Sequence, residues 1–457
     1  MNRFDDADIL KFEPESANAK NFRYTTRKDW TGTLPTTGVK LARTAKMDEA
    51  YNISQGGGIK RDTEVKEYPK YGDEKAEPAL RLIDLRAYAD NDDDPSNDEW
   101  IPYDDPLWDE FLDQLTFDET ARLLSNGFRT TVGLERIGKP ETLDHNGSGG
   151  VKNWQANTRG QEFMLADYND PRIRNNQGNN YPCNATVAAT FNDELLARLG
   201  RQWGEDALWV GYNGLYGPGG NLYRSAYNGR NFEYYGEDPY LAGKSVAAMS
   251  EGMSDKGLYI YLKHCVLNDQ ETNRHGINTW ANEQTIREVY LKAFQIAIED
   301  GGVEGVMTGY NALGATWSGA QGFCKNVLHG EFGMSGIAVS DYLQSYMHIP
   351  TAVLNGNDLP DGQRSSQFDK YEKYYSELAW AMRESVHHIL YTVVHSNVMN
   401  GVSANTIFVK LTPAWMTALT VCQAIISVLC VFSVLFLVYE IVANALNKRK
   451  TDATAKN

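Results

Sequence analysis

The chain has 457 residues, enough for two or three domains and a sizeable core, and its 42% apolar and 23% charged content is that of a globular protein. A net charge of −16 argues against a nucleic-acid surface, which would carry a basic patch, so no nucleic-acid partner is expected. Five widely spaced cysteines without a C-x-x-C (Cys183, Cys265, Cys324, Cys422 and Cys430) argue against a disulfide framework or a structural zinc site and leave free thiols as the expectation.

Aromatic residues make up 11% of the chain, with 26 Tyr and 10 Trp. Flat faces with a polar edge suit sugars, although a core uses them equally. Residues 1–105 are polar and irregular. The opening Met1-Asn2-Arg3-Phe4-Asp5-Asp6 lacks the apolar stretch of an export signal. Gly56-Gly57-Gly58 and the run Asp92-Asp93-Asp94-Pro95-Ser96-Asn97-Asp98-Glu99 mark loops. The acidic run has the oxygens Ca²⁺ prefers, but a solvated linker is the simpler reading.

Order begins at Pro106. Leu107, Phe111, Leu112 and Leu115 have helical spacing, and Thr116-Phe117-Asp118-Glu119 is a capping box opening a second helix. A glycine-rich loop follows, Asp144-His145-Asn146-Gly147-Ser148-Gly149-Gly150-Val151-Lys152. It lacks P-loop spacing, and Asn146 stands where a G-x-S-x-G elbow needs glycine. Asn192 caps a helix containing Leu195, Leu196 and Leu199. Residues 212–235, rich in Gly, Asn and Tyr, read as a long loop of the kind that carries function, and a helix resumes after Pro239. Leu258-Tyr259-Ile260-Tyr261-Leu262 is a continuous strand ending in Lys263-His264. Ile286, Val289, Tyr290, Ala293, Phe294, Ala297 and Ile298 step by three and four up to Gly301-Gly302, a helix and its stop. Gly305-Val306-Met307 is the next strand, ending near Tyr310-Asn311. A short helix over Phe323–Leu328 leads to the strand Ile337-Ala338-Val339, which runs into Ser340-Asp341-Tyr342. A last periodic helix passes through Leu378, Met382, Val386, Ile389, Leu390 and Val393.

This strand–loop–helix rhythm predicts an α/β fold with a parallel sheet, and its length suits one (β/α)8 TIM-like barrel over residues 106–400. An irregular N-terminal extension (1–105) precedes it, and an anchor with a basic tail (401–457) follows. From Leu411 to Tyr439 no residue is charged, which is long enough to cross a hydrocarbon core of about 30 Å. Trp415 and Tyr439 stand at its edges, and Lys448-Arg449-Lys450 follow. Residues 413–439 are therefore expected to cross the cell membrane once, with a cytoplasmic C-terminus and the barrel outside. That orientation normally needs an export signal, so the chain is expected to lack its natural beginning.

A barrel gathers its strand ends at one mouth. Lys263-His264, Tyr310 and Asp341 end three predicted strands, and Arg230 and Arg274 lie on nearby loops. One carboxylate among several donors suits a ring of hydroxyls. The carboxylate would attack an anomeric carbon and form a covalent glycosyl intermediate. Singly, each residue has an ordinary reading: Asp341 as a helix cap, Lys263 as a solvated charge, His264 as a core histidine, Arg230 as an ion-pair partner and Tyr310 as packing. Their joint occurrence at strand ends favours the site.

These residues also carry a resemblance. Gly229-Arg230-Asn231-Phe232-Glu233-Tyr234-Tyr235-Gly236-Glu237-Asp238-Pro239, then Lys263-His264-Cys265-Val266-Leu267-Asn268-Asp269-Gln270-Glu271-Thr272-Asn273-Arg274, then Met307-Thr308-Gly309-Tyr310-Asn311, then Val339-Ser340-Asp341-Tyr342 resemble, in order, the motifs of glycoside hydrolase family 3. Asn268-Asp269-Gln270-Glu271 after the Lys-His pair favours its β-glucosidase branch over the chitobiose-cleaving one. The resemblance implies retaining hydrolysis of terminal β-D-glucosidic bonds in a β-glucoside or oligosaccharide. Asp341 would be the nucleophile, and Arg230, Lys263, His264, Arg274 and Tyr310 would line the glucose subsite. No metal or organic cofactor is implied.

Two departures qualify it. The family's Asp-Gly-Pro-x-Gly-x-Arg reads Asn146-Gly147-Ser148-Gly149-Gly150-Val151-Lys152 here. Asn146 and Lys152 thus stand at substrate-binding positions, with an amide for a carboxylate and a point charge for an Arg fork. A hydrogen bond to a charged group is worth roughly 1.5–3 kcal/mol against about 1 for a neutral one, so sugar affinity or preference should differ. The second departure is the acid/base, which in this family usually comes from an α/β sandwich domain that nothing here resembles. Phe22-Arg23-Tyr24-Thr25-Thr26-Arg27-Lys28-Asp29-Trp30-Thr31-Gly32-Thr33-Leu34-Pro35 is similar to the segment after the sandwich in permuted members, some of which end in a membrane span. The chain therefore looks like the C-terminal part of a permuted enzyme, the sandwich being lost or supplied by a separate chain. The alternatives are a non-catalytic, membrane-tethered sugar-binding remnant and a barrel serving only as a structural partner.

Overall fold

The computed structural model describes residues 2–23, 40–87, 100–147, 149–150, 179–224, 226, 228–363, 367–408 and 414–454. The chain divides into two compact units, 1–155 with 176–408, and 156–175 with 409–457.

The first unit is α/β. Its central sheet holds six parallel strands: β1 Asp144–Asn146, β2 Gly214–Gly219, β3 Tyr259–Cys265, β4 Val306–Thr308, β5 Ala338–Tyr342 and β6 Leu359–Asp361. Each pairs with the next. Helices intervene, as parallel connections require. α1 Pro106–Leu112 and α2 Phe117–Ser125 precede the sheet. α3 Asp193–Val210, α4 Pro239–Ser254, α5 Lys292–Glu299 and α6 Ile349–Leu354 lie between strands, and α7 Ser376–Val394 follows β6. The predicted starts of two helices have local causes. Thr116 Oγ1 accepts from Glu119 N at 3.1 Å while the Glu119 carboxylate accepts from Thr116 N at 3.0 Å, and Asn192 Oδ1 accepts from Leu195 N. The helix read through Ile298 is not continuous: a π turn, Ile286–Tyr290, breaks it before α5.

Among the described residues the sheet has six strands, a parallel half-barrel, where the rhythm predicted eight. Residues 127–131 link its two edges. Gly127 N donates to Gly362 O and Arg129 N to Asp361 Oδ1 beside β6, while Asp144 N donates to Arg129 O and Thr142 N to Thr131 O beside β1.

Three of the strands were not anticipated. β1 lies in the stretch read as a glycine-rich loop, β2 in the loop read over 212–235, and β6 ends in Pro360-Asp361. The glycines of β2 answer packing rather than turns. A Cβ on Gly214 would stand 2.2 Å from the Tyr259 ring and 2.4 Å from Asp144 Oδ1, and one on Gly219 would stand 2.6 Å from the Tyr234 ring. The segment before Pro106 packs into the same unit: Phe4 and Ile9 are buried, and Arg3 N and Phe4 N donate to Glu283 Oε2. The acidic run 92–99 and most of Phe22–Pro35 lie outside the described residues.

At the start of β5 the buried Asp358 carboxylate accepts from Ala338 N at 2.8 Å and Ser385 Oγ at 2.7 Å, and meets His388 Nδ1 at 3.0 Å and His329 Nε2 at 3.4 Å. The two imidazoles stack 3.9 Å apart. His329 Nδ1 and Nε2 also face the carbonyls of Met334 and Gly356 at 2.8 and 3.1 Å. Carbonyls only accept, so both nitrogens carry protons and the ring is an imidazolium. That leaves neither nitrogen a lone pair for a metal, although the three side chains have ligand-like spacing.

The second unit holds α8, Ala414–Thr454, with its apolar side chains exposed from Trp415 to Leu446. Residues Ala414–Lys448 are long and apolar enough to cross a membrane.

Candidate functional site

A cavity of about 440 Å³ lies among the C-terminal ends of the strands. β1 contributes Asn146, β3 Lys263 and His264, the segment after β4 Tyr310, β5 Asp341 and Tyr342, and β6 Asp361. Arg230 and Arg274 enter from loops. Seven of the eight sequence-derived positions thus share one cavity, and the eighth, Lys152, lies outside the described residues.

The strands fix these side chains in depth. β3 is buried at every residue, so Lys263 and His264 are held inside the fold, each 2% exposed. Burial overturns the reading of Lys263 as a solvated charge, and both side chains stand on the cavity wall. Asn221 holds the His264 backbone from both sides, accepting from its N–H at 2.6 Å and donating to its carbonyl at 3.0 Å.

Asp341 is 9% exposed. Its Oδ1 accepts from Tyr342 N at 2.7 Å, while Oδ2 makes no hydrogen bond among the described residues and stands 3.6 Å from His264 Nε2. Burial raises its pKa, opposed by the Tyr342 N–H and then by the charges of Arg230, Lys263 and Arg274. Burial, and then those same three cations, hold His264 well below the usual histidine range. The ring is therefore neutral, and its approach to Asp341 is not an ion pair.

Glu233, absent from the sequence-derived set, organises the cations. It takes a fork from Arg230 (Nε 2.7 Å, Nη2 3.0 Å) and lies 3.4 Å from Lys263 Nζ. Burial would raise its pKa, but Lys263 and Arg230 outweigh that and lower it. Lys263 is itself lowered by burial against the pull of Glu233. Lys263 Nζ also donates to Asn146 Oδ1 at 3.0 Å. Arg274 pairs with Glu271 at 2.8 Å and covers the Tyr310 ring, 4.6 Å from its centroid.

The sequence also missed Phe128, Arg129, Tyr216, Met307 and Asp361 on the cavity wall. Phe128 and Arg129 lie in the edge-linking segment, and Asp361 ends a strand whose proline hid it; no motif marks these three or Tyr216, while Met307 opens the Met307–Asn311 motif without an assigned role. Asp361 and Asp341 are the two carboxylates lining the cavity among the described residues. Asp361 Oδ1 accepts from Tyr216 OH at 3.2 Å and Arg129 N at 3.3 Å. Burial and then the charge of Asp341 push its pKa up to about 7.

The set offers one carboxylate with an uncommitted oxygen, a wall of fixed cations and a neutral imidazole. That is the chemistry of a polyhydroxylated ligand attacked at one electrophilic carbon.

Comparison with known proteins agrees. Residues 163–354 match the family described as Glycosyl hydrolase family 3 N terminal domain. The chain is 32% identical over 245 residues to a beta-glucosidase of Rhizobium radiobacter, an alignment covering 53% of this chain and 28% of that protein. It is 33% identical over 272 residues to Beta-glucosidase BoGH3A of Bacteroides ovatus, covering 58% and 35%. Among solved structures it resembles beta-glucosidase 3B of Thermotoga neapolitana in complex with glucose, at a TM-score of 0.53 and 27% identity, over 64% of this chain and 43% of that one. The chain thus spans about a third of the length of the curated relatives it matches.

Proposed function

We propose that this chain is the glycone-binding, nucleophile-bearing part of a retaining β-glucosidase of glycoside hydrolase family 3. The observation that carries the reading is the uncommitted Asp341 Oδ2 facing a cavity shared with Arg230, Lys263, His264, Arg274 and Tyr310. Asp341 attacks the anomeric carbon. The bond to the leaving oxygen breaks, and its electron pair goes to that oxygen, which takes a proton from an acid. Water then gives its proton to the conjugate base of that acid and attacks the anomeric carbon, and the bond to Asp341 breaks, freeing the sugar and the carboxylate. Burial raises the Asp341 pKa while the Tyr342 N–H and then the three cations pull it back towards the ionised form, and neutral His264 can donate to the substrate. Arg230, Lys263 and Arg274 bind hydroxyls, with Asn146 and Lys152 at the position of the family's acidic loop. The acid/base comes from a sandwich domain in permuted order, supplied by a separate chain.

In this reading the six strands are the greater part of a TIM-like barrel within residues 106–400. Residues 413–439 cross the cell membrane once, with the basic tail cytoplasmic and the barrel outside. The apolar exposure of α8 and Lys448 beyond it support the anchor. The deciding experiment is trapping. A 2-deoxy-2-fluoro glucoside with a good leaving group should label the chain on Asp341, read by peptide mass spectrometry. Labelling elsewhere, or none after a sandwich domain is added, removes the assignment.

A second reading, a non-catalytic sugar-binding remnant, has one observation in its favour: Asn146 Oδ1 is already engaged by Lys263 Nζ. It predicts glucose binding by calorimetry with no turnover, even after the sandwich is added back.

A further inference from the structure

Asp361 is 4% exposed, ends β6 and lies in register with Tyr342, the residue after Asp341. Its backbone is fixed on both sides: Asp361 N donates to Ser340 Oγ at 3.0 Å, while Asp361 O accepts from Leu343 N at 3.0 Å. Of its carboxylate, Oδ1 takes both hydrogen bonds, from Tyr216 OH and Arg129 N. Oδ2 takes none among the described residues. On the same wall Arg129 Nε is buried and also lacks a hydrogen-bond partner. A buried donor left unmatched costs free energy unless something satisfies it, and on the same cavity wall Asp361 Oδ2 has lone pairs that no described residue engages. A hydroxyl is the one simple group that accepts from one and donates to the other.

We propose that Asp361 is a specificity-determining residue of this cavity, its Oδ2 pairing with a hydroxyl of the glycone on the β6 side while Arg129 donates to the same oxygen. The inference rests on the reading of the cavity as a glycone site and adds a residue pair to it. The competing role for a second carboxylate is the proton donor to the leaving group. Position argues against that. Asp361 shares the buried part of the wall with Tyr216 and Met307, whereas Tyr342, 52% exposed and edge-on against Phe128, marks its exposed side, where an acid reaching a leaving group would have to stand.

The test is equilibrium binding by calorimetry of glucose and its 2-, 3-, 4- and 6-deoxy analogues to the full chain, to Asp361→Asn and to Asp361→Leu. The unmodified chain is expected to bind one analogue about tenfold or more weaker than glucose, the worth of a hydrogen bond to a charged group. In Asp361→Leu that difference should fall below about threefold. Asp361→Asn keeps the oxygen that serves Tyr216 and Arg129 but puts an NH2 where Oδ2 stood, so it should lose most of the discrimination too and decides the matter if the leucine variant does not fold. Equal discrimination in the unmodified chain and Asp361→Asn overturns the proposal. So does unchanged binding coupled to loss of hydrolysis only for glucosides with poor leaving groups, which is the signature of an acid. No glucose binding by the unmodified chain would sink the glycone-site reading itself, and this proposal with it.

Discussion

His264 Nε2 stands 3.6 Å from Asp341 Oδ2, with the histidine neutral and the carboxylate steadied by three cations further off. The nearest nitrogen therefore shapes the pocket beside Asp341 without pairing its charge, and Oδ2 stays uncommitted among the described residues.

Replacing that oxygen should end turnover. Asp341→Asn is expected to lower hydrolysis of an aryl β-glucoside by roughly 10⁴-fold or more, the scale on which essential members of a nucleophilic site act. Steady-state kinetics with the fold checked by circular dichroism is the measurement. Undiminished turnover would remove Asp341 from the mechanism.

The chain alone should favour substrates that leave without help. General acid catalysis contributes roughly 10²–10⁴-fold, so without the sandwich domain an activated aryl glucoside should be cleaved far faster than cellobiose. Comparable rates on the two would mean that this chain carries its own acid.

Glu233 gathers Arg230 and Lys263 into position, so its loss should be felt as binding. Breaking a buried charge pair costs about 3–5 kcal/mol. Glu233→Gln, which keeps the hydrogen bonds of one oxygen, should weaken glucose binding at least severalfold while the fold persists. Calorimetry alongside thermal melts separates the two effects, and unchanged affinity would show the cations to be held by something else.

Stability should fall on both sides of neutrality for different reasons. Asp358 and the backbone carbonyls outweigh burial and raise the His329 pKa. A raised pKa stabilises the fold fully below the unfolded value, about 6.5, and that contribution is lost as pH rises through the folded value. On the acid side, burial first and then neighbouring positive charge lower His387 to about 3 and His395 to about 4. Below about pH 6.5 the unfolded chain takes up protons these two refuse, costing each about 1.4 kcal/mol per pH step until its folded value is reached. Denaturation midpoints at several pH values test both limbs. His387→Phe should flatten the acid limb and His329→Leu the alkaline one; unchanged slopes would refute the assignments.

How far the sequence carries can be read residue by residue. β3, β4 and β5 were legible because Leu258–Leu262, Val306-Met307 and Ile337–Val339 are continuous apolar runs, and the polar groups that end them are the ones the cavity collects. α2 and α3 were legible because Thr116, Glu119 and Asn192 announce their caps. β2 was not, because Gly214 and Gly219 look like turn residues and only the facing rings of Tyr259 and Tyr234 reveal why no side chain fits. Asp361 and Arg129 escaped because their roles depend on each other across 232 positions of chain, a distance over which no local pattern speaks.

The link between the sheet's two edges has a consequence for how the molecule yields. Arg129 holds that link with a left-handed backbone, φ 54°, giving its N–H to Asp361 and its carbonyl to Asp144. Arg129 and Asp361 also form part of the cavity wall. The joint between the sheet's edges and the cavity wall thus share residues, so anything that settles against Asp361 would also brace that joint.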